Sequence, residues 1–117
     1  MMATAAGECW RVDAYTGPSL EAPEYRVQED ALQGQTVCFY GDHGWVTGND
    51  LEFTQFGDST LIGWGHNGRG MEVVNVYQLD RANNMMMTTA TRVGTRTEVP
   101  LLPDYASAFV GRAERVR

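Results

Sequence analysis

Residues 60–93 constrain the fold more than any other part of the chain. They contain three apolar runs, at residues 60–66, 71–79 and 85–93, which are rich in Val, Thr and Tyr and lack the spacing of an amphipathic helix. The segments between the runs carry the Gly and Asn residues that adopt the positive φ of tight turns, at 67–70 and 80–84. We therefore predict three antiparallel strands, with Asn83 or Asn84 in the left-handed conformation.

Shorter alternating segments occupy the rest of the chain. They predict strands at residues 8–15, 24–28, 35–40, 45–47, 51–56 and 105–116. Between them we predict a loop at 16–23 and one helical turn at 29–34, and Pro100 and Pro103 exclude a central strand at 99–103. The fold class is therefore all-β, a small antiparallel barrel or meander of seven to eight short strands. Less than about a tenth of the residues should be helical, against about a third in typical proteins.

The length and charge of the chain limit its organisation and its partners. With 117 residues it suits one domain, so we assign 1–7 to a flexible N-terminus and 8–117 to a single all-β domain. Within that domain, 59–117 form the meander plus the C-terminal strand. Nine basic and 15 acidic residues give a net charge of −6, which argues against nucleic acid and anionic membranes as partners. No segment approaches the roughly 18 apolar residues of a membrane span.

The two cysteines, Cys9 and Cys38, bear on the compartment. An even count suits one disulfide in an oxidising compartment, and two buried free thiols are the alternative. The start of the chain lacks the charged region and apolar core of a signal peptide, whereas residues 3–7 resemble the small-residue flank of a signal cleavage site. We expect a bacterial protein that is periplasmic or secreted, with the cytoplasm as the alternative location.

Several short motifs occur in a characteristic order within residues 12–46. They are Gly17-Pro18-Ser19, Tyr25 with Val27, Leu32-Gln33-Gly34, Val37 with Phe39, and Gly41 followed by Gly44-Trp45-Val46. In this order they resemble a bacterial Src-homology-3-like domain, which would make residues 8–56 a Src-homology-3-like half. The resemblance covers about a third of the chain. It implies a small barrel that binds peptides or cell-wall fragments through an aromatic groove, formed here by Tyr15, Trp45 and Tyr40.

The strand at 71–79 places polar groups on the face that should lie inside the fold. Alternation puts five residues on that face: Met71, Val73, Asn75, Tyr77 and Leu79. A buried amide must be hydrogen-bonded, so we expect partners for Asn75 from Thr89 or Thr91 of the next strand, from water or from a ligand. Asn75 and Tyr77 are therefore candidate ligand-binding residues in the interior of the barrel.

Catalytic and metal-binding motifs are absent from the sequence. His43 and His66 are the only histidines, and neither has ligand-like spacing to the cysteines. None of the serines lies in a Gly-x-Ser-x-Gly elbow that would present a nucleophile. We assign no catalytic residue, no metal and no cofactor.

The preferred interpretation is a non-enzymatic binding or interaction module that recognises a peptide, a cell-wall fragment or a protein partner. Three alternatives stay open. A calycin-like barrel would bind a small apolar ligand, an inhibitor or accessory subunit would use a strand edge or turn, and a small hydrolase would use His43 or His66. An open interior would favour the carrier, whereas a filled core with exposed aromatic residues would favour peptide or protein binding.

Overall fold

The computed structural model describes residues 7–66, 70–94 and 103–117. Eight antiparallel strands follow one another in sequence order around a closed barrel, because the last strand pairs with the first. The strands are β1 (Glu8–Glu21), β2 (Gln28–Phe39), β3 (His43–Val46), β4 (Asn49–Phe56), β5 (Thr60–His66), β6 (Met71–Asp80), β7 (Met85–Gly94) and β8 (Tyr105–Arg115). The described ranges contain no helix, and so none that would be long and apolar enough to cross a membrane. The predicted all-β antiparallel barrel is confirmed.

The central meander forms as the sequence predicts. β6 pairs with β5 on one side and with β7 on the other, so that Tyr77 lies between Leu61 and Thr88. In the β6–β7 turn, Asn84 has a φ of 53°, which is the left-handed conformation expected for one of the two asparagines. Residues 67–69 of the predicted turn at 67–70, the segment 1–6 and Pro100 lie outside the described residues.

The first hairpin differs from the prediction, because it is much longer. β1 runs to Glu21 across the predicted loop at 16–23, and β2 includes the predicted helical turn at 29–34. Residues 22–27, predicted in part as a strand, connect the two strands instead. Every residue from 14 to 19 pairs with a residue of β2, so the hydrogen bonds of the ladder override the local preferences of Gly and Pro.

Gly17 permits the close approach that closes the barrel. A Cβ atom at this position would collide with the carbonyl oxygen of Ala108 in β8. The register of β1 against β8 shifts by a bulge between Val12 and Thr16, immediately before this contact. The glycine that suggests a loop in the sequence therefore serves strand packing in the barrel.

The hydrophobic core fills one end and the middle of the barrel. Its buried side chains are Trp10, Val12, Tyr15, Val37, Phe39, Val46, Phe53, Leu61, Tyr77, Leu79, Met86, Phe109 and Ala113. We call the end that contains Glu8 and the β6–β7 turn the closed end, and the opposite end, which contains Glu21 and the start of β8, the open end. The two ends carry different side chains, and this difference locates the candidate site.

Candidate functional site

The closed end is sealed by an ion pair between the β6–β7 turn and β1. Arg81 donates hydrogen bonds to both carboxylate oxygens of Glu8, from Nε at 2.8 Å and from Nη2 at 2.9 Å. It also donates to the Ser59 hydroxyl at 2.8 Å, and Trp10 Nε1 donates to Glu8 at 2.7 Å. The hydrogen bond from Arg81 lowers the pKa of Glu8, because it stabilises the carboxylate.

The two cysteines lie at the same end. Cys9 and Cys38 face each other across β1 and β2, with their sulfur atoms 2.13 Å apart, at disulfide-bonding distance. Both side chains are buried. Of the two states that the sequence leaves open, the structure therefore has the bridged one.

The open end contains a cavity of about 450 Å³. Small-molecule sites in proteins typically range from roughly 300 to 1,000 Å³. Leu32, Ala90 and Phe109 contribute apolar surface, but most of the other lining side chains are polar. Glu21 lies at the rim. The cavity therefore has the size of a small-molecule site, and its lining combines polar side chains with about as much apolar surface.

The cavity exists because neighbouring strands differ in length. β3 pairs only with residues 37–39 of β2, so the first part of β2 has β1 as its sole partner among the described strands. Next to this part of β2, the lining contains Gly48 from the β3–β4 turn and Asn49 from the start of β4, and β2 itself contributes Leu32 and Gln35. The barrel wall is therefore incomplete between β2 and β4, and the interior is accessible there.

Four side chains form a hydrogen-bonded network that borders the cavity. The Tyr77 hydroxyl donates to Gln35 Oε1 at 3.0 Å, which joins β6 to β2 across the barrel. Asn49 Nδ2 donates to Asn75 Oδ1 at 2.7 Å and lies 3.4 Å from the Tyr77 hydroxyl. Each of these groups restrains the rotamer of another, so the lining is fixed before any ligand enters.

Asn75 has the partners that the sequence analysis requires of a buried amide. Its Nδ2 donates to the main-chain carbonyl of Thr89 at 2.9 Å and to the Thr88 hydroxyl at 3.3 Å. The expected partner strand is correct, although Thr89 contributes its carbonyl and not its side chain. Asn75 and Tyr77 both line the cavity, where the sequence analysis proposes them as ligand-binding residues.

Arg92 lies at the rim in a fixed orientation. Its Nε donates to the carbonyl oxygen of Pro103 at 3.0 Å, and its guanidinium group lies 4.6 Å from the centre of the Tyr105 ring. The carboxylate of Glu21 is 3.9 Å from Nη2, which is too far for a hydrogen bond. No described residue accepts a hydrogen bond from the terminal nitrogens of Arg92.

The structure separates the three aromatic residues that the Src-homology-3-like resemblance assigns to a surface groove. Tyr15 is completely buried inside the barrel, with its ring centre 6.5 Å from that of Tyr77. Trp45 is 51% exposed on the outer wall, and Tyr40 stacks on His43 beside the β2–β3 turn. Tyr15 therefore lines no surface groove, because the irregularity between Val12 and Thr16 breaks the alternation of β1 and turns Tyr15 into the core with Val12.

The Tyr15 side chain has a further property. Its hydroxyl is buried and has no hydrogen-bond partner among the described residues. Burial raises the pKa of this hydroxyl, because the phenolate would lose its hydration. A buried polar group without a partner normally costs free energy, so the Tyr15 hydroxyl is expected to lower the stability of the fold.

Both histidines lie on the surface. Asp42 Oδ1 lies 2.6 Å from His43 Nδ1, and this hydrogen bond lowers the pKa of Asp42. His66 Nε2 lies 4.0 Å from a carboxylate oxygen of Glu72. Within residues 7–66, 70–94 and 103–117, no group of three or more His, Cys, Asp or Glu side chains is arranged to hold a metal ion.

Sequence reasoning missed Gln35, Asn49, Arg92 and Tyr105. A signal was present for two of them. Gln35 is two residues from the buried Val37 and lies on the same face of β2. Arg92 likewise lies on the same face of β7 as the inward residues Thr88 and Ala90. A polar side chain that continues an apolar face is the pattern that marks this cavity.

Comparison of the chain with protein-family models, with curated proteins and with solved structures found no match. The cavity and its chemistry are therefore the features that point to a function.

Proposed function

We propose that this protein is a non-enzymatic binding protein that holds a small organic molecule in the cavity at the open end of the barrel. The observation that carries the proposal is a cavity of about 450 Å³ bordered by a fixed polar network. This keeps the calycin-like alternative of the sequence analysis but replaces its apolar ligand with a polar one. The hydrogen-bonding side chains in this mixed lining match a ligand that itself carries hydrogen-bonding groups.

The contrast with the closed end supports the proposal. There the chain fills the interior with large side chains such as Trp10, Phe39 and Leu79. Burying a polar side chain inside a barrel costs free energy unless the side chain is hydrogen-bonded. Apolar residues at the same positions would stabilise the fold without that requirement. Asn49 and Asn75 occupy such interior positions and are both hydrogen-bonded. Prearranged polar groups around an open space are typical of a binding site.

The disulfide supports an oxidising compartment for this function. Bridges between cysteines persist in the periplasm and outside the cell, whereas cytoplasmic thiols are kept reduced. The Cys9–Cys38 bridge spans 29 residues and joins the first two strands. We therefore propose an exported bacterial protein that meets its ligand outside the cytoplasm.

Filling the cavity tests the proposal. Ala90→Phe places a ring in the cavity, because Ala90 belongs to its lining. Ala108→Phe makes the same change on the exposed outer face of the neighbouring strand and serves as the control. We expect a library of small polar compounds to shift the amide signals of Asn49 and Asn75 saturably in NMR spectra of the wild type and of Ala108→Phe, and Ala90→Phe to abolish these shifts.

Two results would overturn the proposal. The first is that no compound in the library shifts the signals of the cavity residues. The second is that Ala90→Phe, folded by its circular dichroism spectrum, binds the same compounds with unchanged affinity.

Peptide or protein recognition on the outer wall is a second candidate function. Three large aromatic side chains are exposed there, namely Trp45 at 51%, Trp64 at 62% and Phe56 at 72%. Exposed apolar residues on a small domain mark interaction surfaces when they are contiguous. A proline-rich peptide and a cell-wall muropeptide serve as probes, and this candidate predicts shifts at the indole N–H groups of Trp45 and Trp64 with none in the cavity. If neither probe shifts these indole signals, the second candidate is wrong.

A further inference from the structure

We infer that the cavity selects a compact organic acid, whose carboxylate pairs with Arg92 and whose body carries several hydrogen-bond acceptors. This inference rests on the proposed function and names its ligand class. Some hydrogen-bonding groups around the cavity have partners among the described residues and others have none, and the ligand class follows from the second set.

Arg92 has the geometry of a carboxylate receptor. The Pro103 carbonyl holds its Nε, and the Tyr105 ring supports the guanidinium plane, so the side chain is oriented before a ligand arrives. Among the described residues its two terminal nitrogens have no hydrogen-bond partner, and they form a planar pair of donors that matches the two oxygens of a carboxylate. The half-exposed Glu21 carboxylate is 3.9 Å away and accepts no hydrogen bond from a described residue, so a ligand carboxylate gains contacts that Glu21 does not make.

The interior of the cavity has donors in surplus. Gln35 uses its oxygen to accept from Tyr77, and its Nε2 donates to no described residue. The Thr88 hydroxyl accepts from Asn75 and itself donates to no described residue. The Ser107 hydroxyl, which also lines the cavity, donates to no described residue.

The amide oxygens are already occupied. Asn49 Oδ1 accepts from the main-chain N–H of Leu51 at 3.2 Å, and Asn75 Oδ1 accepts from Asn49. A ligand rich in donors would meet the Glu21 carboxylate at the rim, whereas a ligand rich in oxygen acceptors meets Gln35, Thr88 and Arg92. Hydroxy acids, keto acids and sugar acids have this character.

The depth of the cavity excludes long alkyl chains. Tyr77 and Phe109 border it and are themselves almost fully buried. Farther into the barrel, Leu61 and Met86 are completely buried in the packed core. A fatty acid would have to displace this core, so the acid must be short or folded into a ring.

The test compares acids with uncharged counterparts. The probes are D-glucuronate against D-glucose, lactate against lactamide, and dodecanoate against dodecanol, titrated into the ¹⁵N-labelled protein. We expect at least one of the two compact acids to shift the cavity signals and to bind at least about tenfold more tightly than its counterpart, as one charge-assisted hydrogen-bonded pair provides. We expect no such shifts from dodecanoate.

Variants assign the preference to Arg92. Arg92→Gln should remove the acid preference, and Arg92→Lys, which keeps the charge but loses the planar pair of donors, should restore it only in part. Arg112→Gln makes the same charge change on the exposed face of β8 and should leave the preference intact. Circular dichroism melting curves establish that each variant is folded.

The outcomes separate the ligand class from the proposed function. If glucose or lactamide binds in the cavity as tightly as its acid, or if neither acid binds while library compounds do, the acid inference is wrong and the binding function stands. If Arg92→Gln keeps the acid preference, the assignment to Arg92 is wrong. If no probe and no library compound shifts the cavity signals, both the acid inference and the proposed binding function are wrong.

Discussion

The two ends of the barrel each pair one arginine with one glutamate, and the two pairs differ in geometry. At the closed end Arg81 binds both oxygens of Glu8, at 2.8 and 2.9 Å. At the open end the carboxylate of Glu21 is 3.9 Å from Arg92, whose only hydrogen bond to a described residue goes to a main-chain carbonyl. The first pair is joined by two hydrogen bonds, whereas in the second pair the arginine and the glutamate form no hydrogen bond with each other.

The surroundings of the two arginines explain the difference. Arg81 is 6.0 Å from the centre of the Phe39 ring and also binds Ser59, so packing and hydrogen bonds act together to close that end. Arg92 stands beside a cavity whose other polar side chains, apart from Glu21, carry amides and hydroxyls. The same kind of charge pair therefore forms a hydrogen-bonded contact where the strands bring large side chains together, and stays open where they leave a space, which is the site proposed to bind a ligand.

The largest expected effect concerns the bridge at the closed end. Replacing Cys9 and Cys38 together by alanine should lower the free energy of unfolding by about 3.6 kcal/mol, because the bridge closes a loop of about 30 residues in the unfolded chain. Thermal denaturation should show a fall in Tm of roughly 10 °C or more. The reduced wild type serves as the matched control and should melt at a similar temperature.

The same double variant sharpens the comparison of the two ends. Its amide chemical shifts should change around Glu8 and Trp10 and stay close to wild type at Asn49 and Asn75. Large shift changes at the open end would mean that the two ends are not structurally independent, and would contradict the division described above.

A smaller effect should distinguish the two arginines directly. Arg81→Gln leaves the Glu8 carboxylate without its charged partner and should cost about 2 kcal/mol of stability, as expected for hydrogen bonds to charged groups. Arg92→Gln removes one hydrogen bond to a carbonyl and a long ion pair, and should cost less than about 1 kcal/mol. Urea denaturation of both variants measures the difference, and equal losses would contradict the assignment of different roles.

The smallest effect compares two tyrosines with adjacent rings. Tyr15→Phe removes a buried hydroxyl that has no partner and should stabilise the protein by about 1 kcal/mol. Tyr77→Phe removes a hydroxyl that donates to Gln35 at 3.0 Å and should destabilise it by about 1 kcal/mol. Urea denaturation gives both values. A loss of stability in Tyr15→Phe would mean that its hydroxyl makes a favourable interaction within the core.

The sequence determined the class of the fold and much of its detail. Alternating apolar residues from Thr60 onwards specify the three strands of the meander, and Asn84 takes the left-handed position that only a few residue types accept. The inward face of β6 could be read directly, because strand pleating has a strict period of two. Asn75 and Tyr77 were found for the same reason.

Only the tertiary structure decided the long first hairpin and the cavity. Gly17, Pro18 and the polar run at 29–34 have local preferences for turns, and these are overcome because β1 and β2 pair with each other along this stretch. On its other side β1 pairs with β8, which lies far away in sequence. The cavity depends on the short β3 and on the meeting of Gln35, Asn49 and Arg92 from three different strands. Local propensity acts over a few residues, whereas strand lengths and cross-barrel contacts are set by the closure of the whole sheet, so the site could not be assembled from the sequence alone.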